Sequence, residues 1–541
     1  MLVVGAGIAG LSTALEAGNG GAKVTVIDMA SVFGGHAVMS EGDVTIIDTP
    51  FQRERGTRDT PDLAYKEFVE WGEDVNTEWV HYYVDHSRAD IYDWLTGMGV
   101  VFEGLRKYPG NTVPRAHITR GRGLGLVMPL YRACLESPNI TFVWNTKVVE
   151  LLMERGRVTG LEAQDLRQGT VRDFRARAIV LATGGFQSNL ELVRRHWPSD
   201  VPVPPRLLAG SGIHSMGFGL ELATKAGAAL TSLDHQWNYE RGLPDPRYPG
   251  MNRGLNAVVQ GVRVNALGKP FMPPSDSGKV TLPALLAQPD ATYWTVFDEK
   301  SKRTFWISGS DWADFDRIQR LILDNRDIVK QAPSLEELAA QIGLPAAALR
   351  ETISEYNSGP TKINTPPFYA AQFFPLTRKS MGGIAIDSEA RVLDEKKRPI
   401  PRLYAAGEVT GEAGINGKAA LEGTFLGSGV VTGRVAARAI LRDLHISRNT
   451  GHEPVPPSDA QTAPPPNAPP AASCTSCHDL PSLLGQKREG FWHFEQVHGV
   501  VLEHHYECAV CHGDMGAPLT PRHHSNPLAQ IKRCGLCHVA Q

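Results

Sequence analysis

Six of the seven cysteines fall in three Cys-x-x-Cys-His units: Cys474, Cys477 and His478; Cys508, Cys511 and His512; Cys534, Cys537 and His538. That spacing suits covalent attachment of haem c. Two thioethers fix each porphyrin, and the adjoining histidine becomes the proximal iron ligand. A zinc site takes four ligands, commonly from two Cys-x-x-Cys pairs, so three pairs leave one unmatched and give the histidines nothing to do. His493, His498, His504, His505, His523 and His524 share this stretch, twice as many as three bis-histidine haems need. Filling both axial positions suits electron transfer rather than oxygen chemistry. His493 and His498 are the favoured distal ligands, with one each from His504/His505 and His523/His524 as candidates for the remainder, one of the four being surplus to three haems. Little apolar sequence lies in 474–541, so the three porphyrins must act as its core, and it should not fold without them.

The opposite end carries a different chemistry. Gly5, Gly7 and Gly10 form G-x-G-x-x-G directly after an apolar strand and at the opening of a helix. Such glycines let the backbone approach a pyrophosphate seated on the helix N-terminus. Asp28 closes the second strand, placed for ribose hydroxyls. This pattern does not separate NAD from FAD, and a tight strand–helix turn with no ligand is its bland alternative.

Three further stretches appear in order: "GGHAVMSEG" (Gly34, Gly35 and His36), "LATGGF" (Thr183 and Gly184) and "LYAAGEVTG" (Gly407 and Glu408). With "VNALGKPF", "YWTVFDEKSKR" and "SMGG", they make residues 1–445 resemble the fumarate reductase and succinate dehydrogenase flavoprotein superfamily. The resemblance implies bound FAD, a discontinuous Rossmann-like α/β FAD domain, and an α+β capping domain with the substrate over the flavin ring. The glycines and acids named above are its implied FAD-binding residues. His36 aligns with the histidine that carries covalent FAD in the membrane-bound members; packing beside the isoalloxazine is the alternative.

The resemblance fails where the family holds a dicarboxylate. The arginine proton donor falls on Gly278, one substrate histidine near Tyr239, a second near Lys379, and the last clamping arginine near Leu421. A dicarboxylate needs two cationic clamps. Arg378 and Lys379 could supply one, and the second is not visible, so fumarate is not the expected substrate. A larger, less charged molecule with one carbonyl or carboxylate fits better. The neighbouring ketosteroid-dehydrogenase-like flavoproteins use a tyrosine as proton acceptor, for which Tyr239 and Tyr248 are candidates. Arg115, His117, Arg120 and Arg122 share one loop. In the family this loop runs near the flavin, and His117 or Arg120 is a candidate for holding substrate. A solvated basic loop is the alternative.

The elements that must position these groups follow from pattern. Residues 1–28 read strand, glycine turn, helix, strand, and residues 60–107 read as helical. Short strands are expected over 141–183, a helix pair over 334–356 and a last helix near 427–442. Cys134 reads as a buried small residue of an amphipathic helix. The expected domains are 1–239 and 376–445 for FAD, 240–375 for the cap, a Pro/Ala-rich linker over 446–473, and a trihaem cytochrome c module over 474–541. That module resembles multihaem cytochromes of the c7/c3 type. The linker's stretch 453–473, "EPVPPSDAQTAPPPNAPPAAS", spans roughly 65 Å if fully extended.

The chain has 541 residues, a formal net charge of −3 and 21% charged residues. That balance points to neither nucleic acid nor an anionic membrane as partner, and no apolar run is long enough to span a bilayer. Haem attachment takes place outside the bacterial cytoplasm, so a periplasmic location and an export signal are expected. The first strand begins at Leu2 with no leader before it, so a trimmed front end is expected. Three functions are consistent with these residues. Haems could collect electrons from a cytochrome or quinol dehydrogenase and pass them to FAD, which reduces an activated C=C bond of a small-molecule acid or enone. The flavin half could instead dehydrogenate a substrate and send electrons out through the haems. A non-catalytic electron carrier is the third.

Overall fold

The computed structural model describes residues 1–446 apart from Asp276. The linker from Ser447 onward and residues 474–541, with all six motif cysteines, the three proximal histidines and the distal candidates, lie outside the described residues. The chain divides into two compact units. The first comprises Met1–Gly185, Gly217–Ser232 and the chain from Met381 onward; the second comprises Phe186–Met216 and Leu233–Ser380.

The first unit is built on a six-stranded sheet. Its elements are β1 (Leu2–Val4), α1 (Ile8–Asn19), β2 (Val24–Ile27), α2 (Arg122–Glu136), β3 (Ile140–Val143), β4 (Ile179–Leu181), β5 (Arg391–Leu393), β6 (Pro399–Ala405) and α3 (Thr424–Asp443). The order across the sheet is β5-β6-β4-β1-β2-β3. Leu2 lies opposite Ile179 on one side and Thr25 on the other, both in parallel register, and β5 closes one edge antiparallel. Leu2, Val3 and Val4 are all buried, as a strand covered on both faces requires. Cys134 is fully buried in α2, and burial pushes its thiol well up.

α1 and α3 cross at backbone contact. A Cβ on Gly433 would stand 2.5 Å from the Ala9 carbonyl oxygen. Arg434 and Arg438 of α3 then hold Glu16 of α1, each through Nε at 2.9 Å, and both reach Asp90 in the π-helical turn Arg88–Asp93. The helical expectation over 60–107 becomes Pro61–Gly72, Thr77–Ser87 and this π turn, with a strand Phe102–Arg106 at its end. That strand joins Ala116–Thr119 and Val44–Thr45 in a small antiparallel sheet.

The second unit is antiparallel and grows from one long strand, Phe368–Ser380. Across the sheet run Val262–Val264, Tyr293–Asp298, Phe368–Ser380, Gln236–Pro244, Gly254–Val258 and Trp306–Ile307. Leu208–Ala209 also pairs with the long strand. This pairing explains why the unit exceeds the expected 240–375. Gln236–Tyr239 is committed to the strand that contains Ser380, and 186–216 follows Leu208–Ala209 into the same sheet. The expected helix pair appears as Leu335–Ile342 and Ala346–Tyr356. Ser334 caps the first helix by accepting the Glu337 amide, and Gly343 ends it in the left-handed region.

Candidate functional site

In the first unit the dinucleotide motif makes a cradle. Gly5 turns the chain out of β1 at φ +109°, and its amide donates to the Ile27 carbonyl at 2.8 Å. A Cβ on Gly5 would meet the Ala182 carbonyl oxygen at 2.3 Å, and one on Gly10 would meet the Gly5 carbonyl oxygen at 1.9 Å. These two glycines are therefore demanded by packing alone. Gly7 differs: a Cβ there would find no atom of the described residues within 4 Å. Packing does not demand a glycine there, at the N-terminus of a helix that has no side-chain cap. That is the position where a pyrophosphate collects backbone amides.

The other FAD-binding candidates gather at the same place. The Gly34 amide donates to the Ala6 carbonyl at 2.9 Å, and a Cβ on Gly35 would lie 3.3 Å from Gly7 Cα. The Gly407 turn after β6 packs on α1, since its Cβ would stand 2.7 Å from Ala9 Cβ. His36 Nδ1 lies 3.7 Å from the Glu408 carboxylate, with both side chains about nine-tenths buried. Thr183, beside Gly184 after β4, holds its hydroxyl buried with no hydrogen-bond partner among the described residues. An orphaned buried hydroxyl beside a bare glycine turn fits a bound FAD. Asp28, expected at the ribose hydroxyls, also braces the turn. Its carboxylate accepts the Ala6 amide at 2.6 Å and the Ala30 amide at 2.7 Å, tying the glycine turn to the end of β2. The sequence reading passed over Thr432, whose hydroxyl accepts the Gly407 amide at 2.9 Å. The small-residue run "GSGVVTG" in α3 is the signal that could have found it.

The basic loop 115–122 scatters rather than converging on a ligand. Arg115 is fully buried, its guanidinium on Asp59 at 2.8 Å and on Glu67. His117 is fully buried too. Its Nδ1 lies 2.8 Å from the Arg115 carbonyl and its Nε2 2.7 Å from the Thr49 hydroxyl, among the rings of Phe51, Tyr92 and Phe102. Both ring nitrogens are thus engaged within the core. Burial pulls its pKa down to about 4, so the imidazole stays neutral. Arg120 is exposed and pairs with Glu103 at 3.4 Å, and Arg122 lies 3.6 Å from Glu41. The structure therefore gives His117 a core role and Arg120 a solvated one.

In the second unit, Tyr239 lies on Gln236–Pro244 opposite Leu376 and is buried, with the Arg241 guanidinium 5.3 Å from its ring centre. Trp237 pairs with Lys379 and Asn238 with Thr377. One step on one strand therefore matches two on the other, leaving Arg378 as the extra residue of a β-bulge. Bulges of this kind re-aim a side chain. Arg378 and Lys379 are both buried, and the Arg378 guanidinium donates to the Gly210 carbonyl. Tyr248 neighbours Arg247, which is clasped by Asp245 at 2.7 Å and Asp311 at 2.6 Å. Gly278 opens the helix Gly278–Leu286, and in the first unit Leu421 is a buried core residue. Neither position offers the family's cation.

The family model described as FAD binding domain matches residues 1–426. A KsdD-like steroid dehydrogenase of Mycobacterium tuberculosis is 31% identical, over 82% of this chain and 96% of that protein. A fumarate reductase (cytochrome) of Shewanella frigidimarina is 30% identical, over 81% of this chain and 76% of that protein. Among solved structures, a flavocytochrome c3 fumarate reductase in its open conformation matches with a TM-score of 0.68 at 27% identity, over 82% of this chain and 78% of that one. The glycine cradle and these likenesses agree: the chain belongs to the FAD binding domain family and is an FAD-dependent oxidoreductase acting on carbon–carbon bonds, akin to fumarate reductases and steroid dehydrogenases.

Proposed function

We propose that this chain is a periplasmic flavocytochrome c that reduces the activated C=C bond of an unsaturated acid or enone, with electrons relayed through three c-type haems. The observation that carries this reading is the coexistence on one chain of a fitted flavin cradle, open at Gly7, and three Cys-x-x-Cys-His units. FAD, when bound, supplies hydride exchange with a substrate carbon. The chain's own residues do the rest. Arg378 and Lys379 hold and polarise the carbonyl or carboxylate oxygen, and a side chain of the second unit, with Tyr239 the favoured one, moves the proton at the neighbouring carbon. With Gly278 where the family's arginine proton donor stands and Leu421 near its last clamping arginine, fumarate is not the substrate. The electron donor is a cytochrome or quinol dehydrogenase.

A second reading is favoured by the same Gly278 and by the steroid dehydrogenase relative: electrons run outward, and Tyr239 accepts a proton from a saturated ketone. One experiment separates the two. The full chain is reduced anaerobically with a low-potential dye and offered enoates and enones. In parallel it is offered saturated ketones with a high-potential acceptor. Dye oxidation coupled to alkene loss is the expected result, and turnover confined to the saturated ketones would reverse the direction proposed.

A further inference from the structure

We infer that Arg253 and Arg378, with the side-chain amide of Gln187, form an anion subsite in the second unit that takes one carboxylate group of an unsaturated monocarboxylate. This rests on the proposed C=C chemistry and names the substrate class for it.

Arg253 stands just before the strand Gly254–Val258 and is 9% exposed. Its Nη1 donates to the Ser188 hydroxyl at 2.9 Å and its Nη2 to the Ser211 carbonyl at 2.5 Å. Both acceptors are neutral, and a guanidinium has five N–H donors to place. The nearby Asp245 carboxylate is already taken in a two-pronged grip by Arg247. A buried cation without a counter-charge is costly unless a ligand completes it.

The second guanidinium sits beside the first. Arg378, the extra residue of the bulge, donates to the Gly210 carbonyl while Arg253 donates to that of Ser211. The two arginines therefore reach consecutive carbonyls of one loop. Burial makes it harder for Arg253 to keep its own charge, and the neighbouring Arg247 and Arg378 charges add to this, against the attraction of Asp245 and Tyr248. An anion relieves both effects.

Gln187 is the independent observation. It is fully buried, and neither its amide nitrogen nor its amide oxygen has a hydrogen-bond partner among the described residues. Its backbone carbonyl accepts the Thr377 hydroxyl, and it precedes the Ser188 that Arg253 holds. It is thus linked through the chain to both arginines. A buried amide left unsatisfied is destabilising, and native structures keep few of them. An unsatisfied N–H₂ donor on the residue before Ser188, which Arg253 holds, suits the oxygens of a carboxylate. The subsite serves one carboxylate, which matches the absence of a cation at Gly278 and Leu421.

The test uses the full FAD-loaded chain and calorimetric titration with crotonate, butyrate and methyl crotonate. Wild type should bind both carboxylates saturably, and the ester at least about 10-fold more weakly. Arg253→Gln should weaken both carboxylates about 10- to 100-fold and leave the ester unchanged, and Gln187→Leu should weaken them by a smaller factor. FAD content and melting temperature report whether each variant folds. Should Arg253→Gln fail to fold, Arg253→Lys keeps the charge, loses the forked geometry and should still weaken crotonate about 10-fold. Carboxylates and ester binding alike, or crotonate affinity unchanged in a folded Arg253 variant, overturns the subsite. Arg253-dependent butyrate binding without crotonate turnover would sink the reductase reading and leave the subsite standing. Enone turnover with no carboxylate preference would do the reverse.

Discussion

Gly7 and Gly10 are the same residue type three positions apart, yet the structure gives them different duties. Gly10→Ala drives a methyl into the Gly5 carbonyl, so the protein should lose more than about 2 kcal/mol of stability, measured by urea unfolding with and without added FAD. The Cβ that Gly7→Ala adds meets no atom of the described residues within 4 Å. The apoprotein of that variant should melt as wild type does, while the flavin-to-protein ratio falls to near zero. His117 makes a pH prediction. The free imidazole titrates at 6.5 and the buried one at about 4. Between these values the unfolded chain takes up a proton that the folded chain refuses. Stability is therefore complete above pH 6.5 and falls by about 3 kcal/mol as the pH drops toward 4. His117→Gln should remove that part of the slope, as read from urea unfolding across this pH range. At His36 we expect non-covalent flavin, so acid precipitation should leave the yellow colour in the supernatant. Colour retained by the pellet would show a covalent bond.

Elements place these residues, and their legibility varied with how much each depends on local pattern. α1, α3 and the helix pair near 335–356 follow from apolar spacing and caps, and they formed close to where periodicity predicts them. The loop 115–122 did not read correctly, because four basic residues close together in sequence resemble a ligand site whatever their facing. Pairing of Ala116–Thr119 between Val44–Thr45 and Phe102–Arg106 turned His117 inward and left Arg120 in water. The crossing of α1 and α3 carries a prediction of its own. Gly433→Val pushes against the Ala9 carbonyl and must part the helices, shifting the N-terminus of α1. Both melting temperature and FAD occupancy should fall, with added FAD restoring part of the stability by mass action.

At the scale of the whole molecule, the family match and the described structure end near residues 426 and 446, ahead of the Pro-rich stretch. A chain truncated after Ile446 should therefore fold, keep FAD and show no haem absorbance. It should turn over substrate with a small dye that reduces flavin directly, and fail with a protein donor. The full chain should contain three haems by pyridine haemochrome assay, and Cys537→Ala should reduce the count to two. Loss of all activity in the truncated, flavin-loaded chain with the dye would mean that residues beyond 446 complete the flavin site.

The sequence by itself determined what depends on contiguous spacing. G-x-G-x-x-G after an apolar strand, the Cys-x-x-Cys-His units and the returning "LYAAGEVTG" each need only a few neighbouring residues, so order along the chain was enough to read them. Only the tertiary structure decided which glycine packs and which stays bare, that Asp28 braces the turn, and that His117 is core. It also placed Arg378 at a bulge beside Arg253, more than a hundred residues away in sequence. Register between distant strands sets those outcomes, and a single slip reverses the face on which a side chain lies. No local pattern encodes it.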